Sequence, residues 1–315
     1  MPTVMYTHLY ARLDPNQGCT KQTCDPIWSI YGYRPSLPFT LLFLTIFALS
    51  AIAFLIQGLH PRTRSKTWFF TTAMTIGSSS EVLGYIAKLL LYNDPFSDLG
   101  FKMNVVLLTF APAFYAAAIY ATLAQICLAI APELSRLRPR LYTRIFISCD
   151  VVSIILQAAG GGIASAAPDF HVLEIGDNIM IAGLATQVAT LLVFGVLAAD
   201  YAYAVYKNQE SLRPATAELR RSWRFKAFVT ALWVAYLGIQ IRCCYRVAEL
   251  CEGWGSPTMR NQGLFIGLDS LPVGVAAVVL NVCHPGWWFP VELRGVEGRS
   301  HSEVVEVEVE EKAKV

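Results

Sequence analysis

Seven apolar stretches, each long enough to cross a bilayer, constrain this chain more than any other feature. They cover approximately residues 37–59, 68–92, 103–131, 145–167, 179–206, 227–248 and 263–283. About 20 consecutive apolar residues make a helix that spans roughly 30 Å of hydrocarbon. Each unpartnered backbone group facing lipid would cost several kcal/mol, so every stretch is expected to be helical. Composition agrees, with 55% of residues hydrophobic and only 15% charged, against about 25% charged in a soluble domain. The expected fold class is therefore all-α: a polytopic membrane protein with seven transmembrane helices in one bundle.

The connections set the direction. Lys and Arg concentrate in cytoplasmic loops. The connections after the first, third, fifth and seventh stretches carry 17 of them, and the opposite set only five. This predicts an N-out, C-in chain: an extracellular segment 1–36, a membrane domain 37–286 and a cytoplasmic, disordered acidic tail 287–315. Residues 1–36 are polar and mixed, without a short apolar core and small-residue cleavage site, so the first apolar stretch is expected to stay in the mature protein. Cys19, Cys24 and Cys251 fall on the outer side, where oxidation is possible. A Cys19–Cys24 bridge, or one from either to Cys251, are the alternatives. Cys127, Cys149 and Cys283 fall within spans and read as packing residues.

Ionisable groups inside a span are costly and usually face the bundle interior. Glu81, Tyr85 and Lys88 share one face of the second span. Asp150, Ser153 and Gln157 form a stripe on the fourth, and Gln187 and Asp200 lie on the fifth. Arg242, Arg246 and Glu249 share a face of the sixth, because spacings of four and three bring helical side chains together. Asp269 in the seventh lies at about the depth of Arg242, roughly 10 Å below the outer boundary at 1.5 Å per residue. An Arg242/Arg246–Glu249–Asp269 cluster is expected to join the last two spans. Two readings stand side by side: a network that pins two helices, or a lock that is also a gate. The candidate substrate-binding and translocation residues are Glu81, Tyr85, Asp150, Gln157, Gln187, Arg242, Arg246, Glu249 and Asp269. Gly160, Gly161 and Gly162 suit close helix approach, and Pro112 and Pro272 are expected to kink their helices.

Several classes are disfavoured. No phosphate-binding GxxxxGK[ST] loop is present, so ATP hydrolysis by that route is not expected. The five histidines, His8, His60, His171, His284 and His301, avoid the span interiors, which leaves no ligand set for a catalytic zinc. No metal, cofactor or nucleic-acid partner is expected, and the chain does not read as an enzyme. The main alternative is a seven-helix receptor or sensor of lipids or stress, which has the same topology and helix count. It would usually carry an Asp/Glu-Arg-Tyr motif after the third span, where Ala131-Pro132-Glu133 stands.

In this order and on these spans, a set of short motifs resembles one family. The motifs are Tyr31-Gly32-Tyr33-Arg34-Pro35-Ser36, Glu81 with Gly84-Tyr85, Ala111-Pro112-Ala113, and Asp150 with Ser153, Gln157 and the triple glycine. They continue with Gly183-Leu184 and Gln187, then Arg242, Tyr245-Arg246 and Glu249, Asp269 with Pro272, and His284-Pro285-Gly286. The family is that of the fungal lipid-translocating exporters, the aminocholesterol-resistance-like (RTA-like) seven-span proteins. Gln262 stands where the family usually has a glutamate, and Lys88 where it commonly has an arginine; lysine keeps the charge but loses the bidentate fork. The resemblance implies a plasma-membrane protein that moves, or confers resistance to, amphipathic lipids such as sphingoid long-chain bases, or sterol-like and other hydrophobic toxic compounds. Its partners would be that substrate and the surrounding membrane lipids.

Overall fold

The structure, a computed structural model, describes residues 23–208 and 217–288. Cys19, most of the expected extracellular segment and the tail beyond Trp288 lie outside the described residues. Among the described residues every regular element is helical. Seven long helices follow one another: α1 (Leu37–Leu59), α2 (Pro61–Asn93), α3 (Asp98–Ile130), α4 (Pro139–Ser165), α5 (Phe170–Lys207) and α6 (Trp223–Cys251). The last, α7, is built of Gln262–Leu264, a wide turn Phe265–Ser270 and Leu271–Val282.

The starts are set by local chemistry. The Ser97 hydroxyl accepts from the Gly100 N–H at α3, and the Asp169 carboxylate accepts from the Val172 N–H at α5. Each satisfies one of the orphan donors of a first helical turn. Helix α2 is irregular at Thr67 (φ −122°, ψ 15°), where the apolar stretch begins in the sequence. Pro112 does not interrupt α3, which runs through it as one helix. Pro272 has a visible consequence instead. The helix widens over Phe265–Ser270, where the Leu271 N–H reaches back to the Ile266 carbonyl. A proline ring clashes with the carbonyl four residues earlier, and a widened turn relieves that clash while re-aiming the side chains it holds, Asp269 among them.

Among the described residues six segments are long and apolar enough to cross a membrane: Leu37–Leu59, Asp98–Ile130, Leu141–Ser165, Phe170–Lys207, Trp223–Cys251 and Gln262–Trp288. Helix α2 is long enough but more polar, and its polar side chains Thr71, Ser78, Glu81 and Lys88 are all buried. Neighbours in sequence pack side by side, α7 returns against α1, and α3 reaches across to α6. Helix α3 is the centre: 67% of its apolar window is inside, against 28% for α1. The outward faces are apolar, with Leu49, Ile56, Val196, Leu237 and Val282 exposed. A water-facing helix bundle would place polar residues there.

Two ends can be distinguished. At one, Tyr31, Leu91 and Met259 form a small core with Ile30, Tyr33, Phe101 and Trp254, capping the bundle. The Trp254 indole N–H donates to Asp177 at 2.8 Å, and Lys102 to the Ser165 carbonyl at 3.5 Å. At the other end Arg136 grips Asp200 through two bonds of 2.6 and 2.9 Å. Cys24 is in a disulfide, whereas Cys251 is a free, exposed thiol. The alternative bridge through Cys251 is thus not formed.

A buried charge network as the candidate functional site

Helices α2, α6 and α7 each turn charged side chains inward to one place. Arg242, one turn before Arg246 on α6, is 1% exposed and sits at the hub. Its guanidinium donates through Nη1 to Glu81 Oε1 of α2 and through Nη2 to the Leu108 carbonyl of α3. Its Nε lies 3.2 Å from Asp269 Oδ1 of α7. Arg246 donates through Nε to the same Asp269 oxygen at 2.7 Å and through Nη1 to Glu249 at 2.8 Å. Glu249 also accepts from the Tyr245 hydroxyl at 3.4 Å. Only a planar fork with several fixed donors can serve so many acceptors at once.

Lys88, two turns along α2 from Glu81, completes the set. Its ammonium rests over the Phe265 ring, 3.1 Å from the centroid, and Arg246 approaches the same ring at 5.2 Å. A cation over an aromatic face in a desolvated site gains about 2 kcal/mol or more. Three acids (Glu81, Glu249, Asp269) thus face three bases (Arg242, Arg246, Lys88), all buried. As ions they balance, which is the condition for tolerating charge in a low-dielectric interior. Tyr85 lies between Phe43 and Phe47 in stacked contact at 5.8 and 5.6 Å, so its ring packs α2 on α1 beside the network.

The cap closes over this site. The Tyr31 hydroxyl donates to Asn104 Oδ1 at 2.9 Å, and the Asn104 amide donates to the Gly84 carbonyl at 2.9 Å. Burial holds the Tyr31 and Tyr33 phenols above the ordinary tyrosine range, so both stay neutral in the physiological range and Tyr31 keeps the proton it donates to Asn104. Arg34 stacks on Tyr92 at 3.9 Å and bonds its carbonyl at 2.8 Å. The Tyr31–Ser36 motif therefore ties the chain before α1 to the ends of α2 and α3.

The remaining candidates stand apart from the charges. Asp150 on α4 is 3% exposed, and neither carboxyl oxygen has a hydrogen bond of good geometry. The Tyr120 hydroxyl of α3 is a polar neighbour of that carboxyl group. Gln157 on α4 donates to Gln187 on α5 at 3.1 Å, leaving the Gln157 carbonyl oxygen and the Gln187 amide nitrogen without partners. Asp200 belongs to the Arg136 pair at the far end of α5. The nine candidates are all buried, but the structure gathers only Glu81, Tyr85, Arg242, Arg246, Glu249 and Asp269 around one centre.

Sequence reasoning missed the Glu81–Arg242 contact, the Leu108 carbonyl and the Lys88–Phe265 contact. The i, i+4, i+7 face of α2 was visible, but no pattern in a single sequence says which helix that face meets. It noted His284 in the His284-Pro285-Gly286 motif but missed its setting: the ring is fully buried, lies 3.2 Å from the Thr71 hydroxyl and accepts from the Gly286 N–H at 3.0 Å. Among the described residues no group of three or more His, Cys, Asp or Glu side chains is placed to hold a metal ion.

Comparison with known proteins follows the same residues. Residues 74–292, which include α2 from Met74 through all of α7, match the family described as "RTA1 like protein". The chain is 31% identical over 290 residues to the sphingoid long-chain base transporter RSB1 of Saccharomyces cerevisiae, covering 83% of this chain and 75% of that one. It is 28% identical to Protein RTM1 of the same organism, over 65% of this chain and 64% of that one. To Protein RTA1 of Saccharomyces cerevisiae it is 26% identical, over 82% and 85% of the two chains. No solved structure matches. The whole buried network lies within the matched region, and the chain belongs to the RTA1-like protein family.

Proposed function

We propose that this chain is a multi-pass plasma-membrane translocator for amphipathic lipids, with sphingoid long-chain bases as the leading substrate class, and that it is not an enzyme. The observation that carries the reading is the similarity, across 83% of the chain, to a protein named as a sphingoid long-chain base transporter. In this reading α2 is a seventh span. Thr71, Ser78, Glu81 and Lys88 lower its average hydropathy yet are buried in the bundle, where they meet partners instead of lipid. An inward-facing polar stripe is what an intramembrane functional helix requires. The cap end is extracellular and the Arg136 end cytoplasmic, in keeping with the Lys and Arg bias of the connections.

The α2–α6–α7 network acts as the central lock, and Asp150, Gln157 and Gln187 are polar stations on the α4–α5 side. A sphingoid base presents an amine and hydroxyls on one alkyl chain. Such a headgroup gains from hydrogen-bond acceptors and carboxylates spaced through the hydrocarbon while the tail stays in lipid. Yeast cells loaded with a labelled sphingoid base and expressing this chain at the surface should release the label several-fold faster than vector-only cells. Release no faster than in the control, at verified surface expression, overturns the proposal.

A further inference from the structure

The three consecutive glycines of α4 do different work. A Cβ on Gly160 would lie 2.5 Å from the Gly176 carbonyl oxygen and 2.5 Å from the Met180 nitrogen, so the close α4–α5 crossing requires glycine there. At Gly161 the nearest atom is Met180 Sδ at 3.9 Å, and at Gly162 nothing lies within 4 Å. Each glycine in a helix interior costs about 1 kcal/mol relative to alanine. Two glycines in open space bear that cost with no gain in packing.

What they open onto is a cavity of about 440 Å³ between α3 and α4, bounded by α5 and by Trp254 of the cap. Small-molecule sites typically enclose about 300–1,000 Å³. Its walls are apolar, with Phe101, Val105, Val106 and Met180 among them, while Asp98, Lys102 and Ser165 mark one end. From Asp98 to Phe110 the α3 wall runs about 18 Å at 1.5 Å per residue. The shape suits a chain better than a compact molecule. Gln157 also lines it: 3% exposed, it bonds Gln187 through its amide and leaves its carbonyl oxygen with no partner in the protein. A buried acceptor left unsatisfied loses about 1–3 kcal/mol, so this atom calls for a donor from outside.

We infer that the α3–α4 groove is a binding site for a single-chain amphiphile with an amine or hydroxyl headgroup, Gln157 accepting a hydrogen bond from the head while Gly161 and Gly162 keep the slot open. The substrate class rests on the translocator reading; the location and its residues do not. A second cavity, about 190 Å³ between α3, α5 and α6 beside Tyr201, is apolar and makes a natural competitor for the tail.

The test is photolabelling of the purified full chain by sphinganine carrying an alkyl diazirine, with the modified peptides mapped. Saturable labelling within 101–110 and 157–165, competed by unlabelled sphinganine, is expected. Gly161→Leu, Gly162→Leu and Gln157→Leu should each weaken it about tenfold, while Gly162→Ala, in open space, melts no lower than the wild type. Labels confined to the α3–α5–α6 cavity, or leucine variants that bind like the wild type, overturn the site and leave the translocator reading standing. Intact labelling with no cellular release upholds the site against that reading. Absence of saturable labelling with cellular release intact overturns the site alone, and absence of both labelling and release removes both.

Discussion

Arg242 has three partners on three helices, and removing them separately gives a quantitative expectation. Among the described residues Glu81 has Arg242 as its one hydrogen-bonding and ion-pair partner, whereas Asp269 keeps Arg246 at 2.7 Å if Arg242 is lost. Arg242→Met therefore strands the Glu81 carboxylate and frees the Leu108 carbonyl. It should destabilise the bundle toward the upper part of the roughly 3–5 kcal/mol range for orphaning a buried charge. Glu81→Met leaves Arg242 with Asp269 at 3.2 Å, so its loss should sit near the lower end, about 3 kcal/mol. The double variant removes one charge of each sign, and Asp269 and Glu249 still balance Arg246 and Lys88. Its loss should fall short of the sum of the singles by at least about 3 kcal/mol, which is more than a hundredfold in the folding equilibrium. Detergent-denaturation titrations of purified protein, followed by tryptophan fluorescence, read all three differences. Single losses below about 1 kcal/mol, or a double variant equal to the sum, would refute a coupled network. Exchanging the charges of Arg242 and Asp269 tests the same geometry. The exchange sets a carboxylate against Glu81, so it should not rescue folding.

Three further outcomes follow from the same geometry. Asp150→Asn keeps the shape of a side chain that has no well-formed hydrogen bond, so its unfolding free energy should fall by less than about 1 kcal/mol or should rise; a loss above about 2 kcal/mol would reveal a partner. Tyr31→Phe deletes the bond to Asn104 and should lower stability by about 1–3 kcal/mol in the same titration, since it leaves a buried acceptor short of one donor; no change would mean that the cap does not hold α3 through this pair. In a variant retaining only Cys251 of the free cysteines, a membrane-impermeant maleimide should label intact cells without permeabilisation, because that thiol is exposed at the cap end. Labelling only after permeabilisation would reverse the proposed orientation.

Much of the architecture was legible because the bilayer permits so few solutions. Apolar stretches of the right length become helices: each stretch lies within a long helix or overruns its end by no more than two residues, and among the described residues six of those helices are long and apolar enough to cross a membrane. The pair on α6 and α7 was legible too, because Arg242, Arg246 and Glu249 share one helical face and Asp269 lies at a matching depth. What one sequence does not contain is the rotation of one helix against another. Glu81 was recognisable as a charge on one face of the second span, but its meeting with Arg242 depends on how α2 is turned. Nor does a single sequence say which of the nine candidates share a centre. Asp150 and the Gln157–Gln187 pair lie on α4 and α5, helices that pack mainly on each other and keep their polar side chains apart from the charge network. The wide turn over Phe265–Ser270 was equally hidden. Pro272 marked an irregularity, but whether the helix bends or widens depends on what packs around it. The glycines show the same limit: Gly160 and Gly162 are identical letters two positions apart, and only the neighbouring backbone of α5 separates a packing glycine from an open one.

The central claim, that buried polar side chains of this bundle carry an amphiphile's headgroup across the membrane, is tested most directly in liposomes. The purified chain is reconstituted, a fluorescent sphingoid base is added to the outer leaflet, and its protection from a membrane-impermeant quencher is followed in time. The account predicts transfer faster than in protein-free vesicles, slowed strongly by Gln157→Leu and by filling the groove at Gly162. Transfer at the protein-free rate under imposed proton gradients of either sign, by protein that still shows its native melting profile, would contradict it.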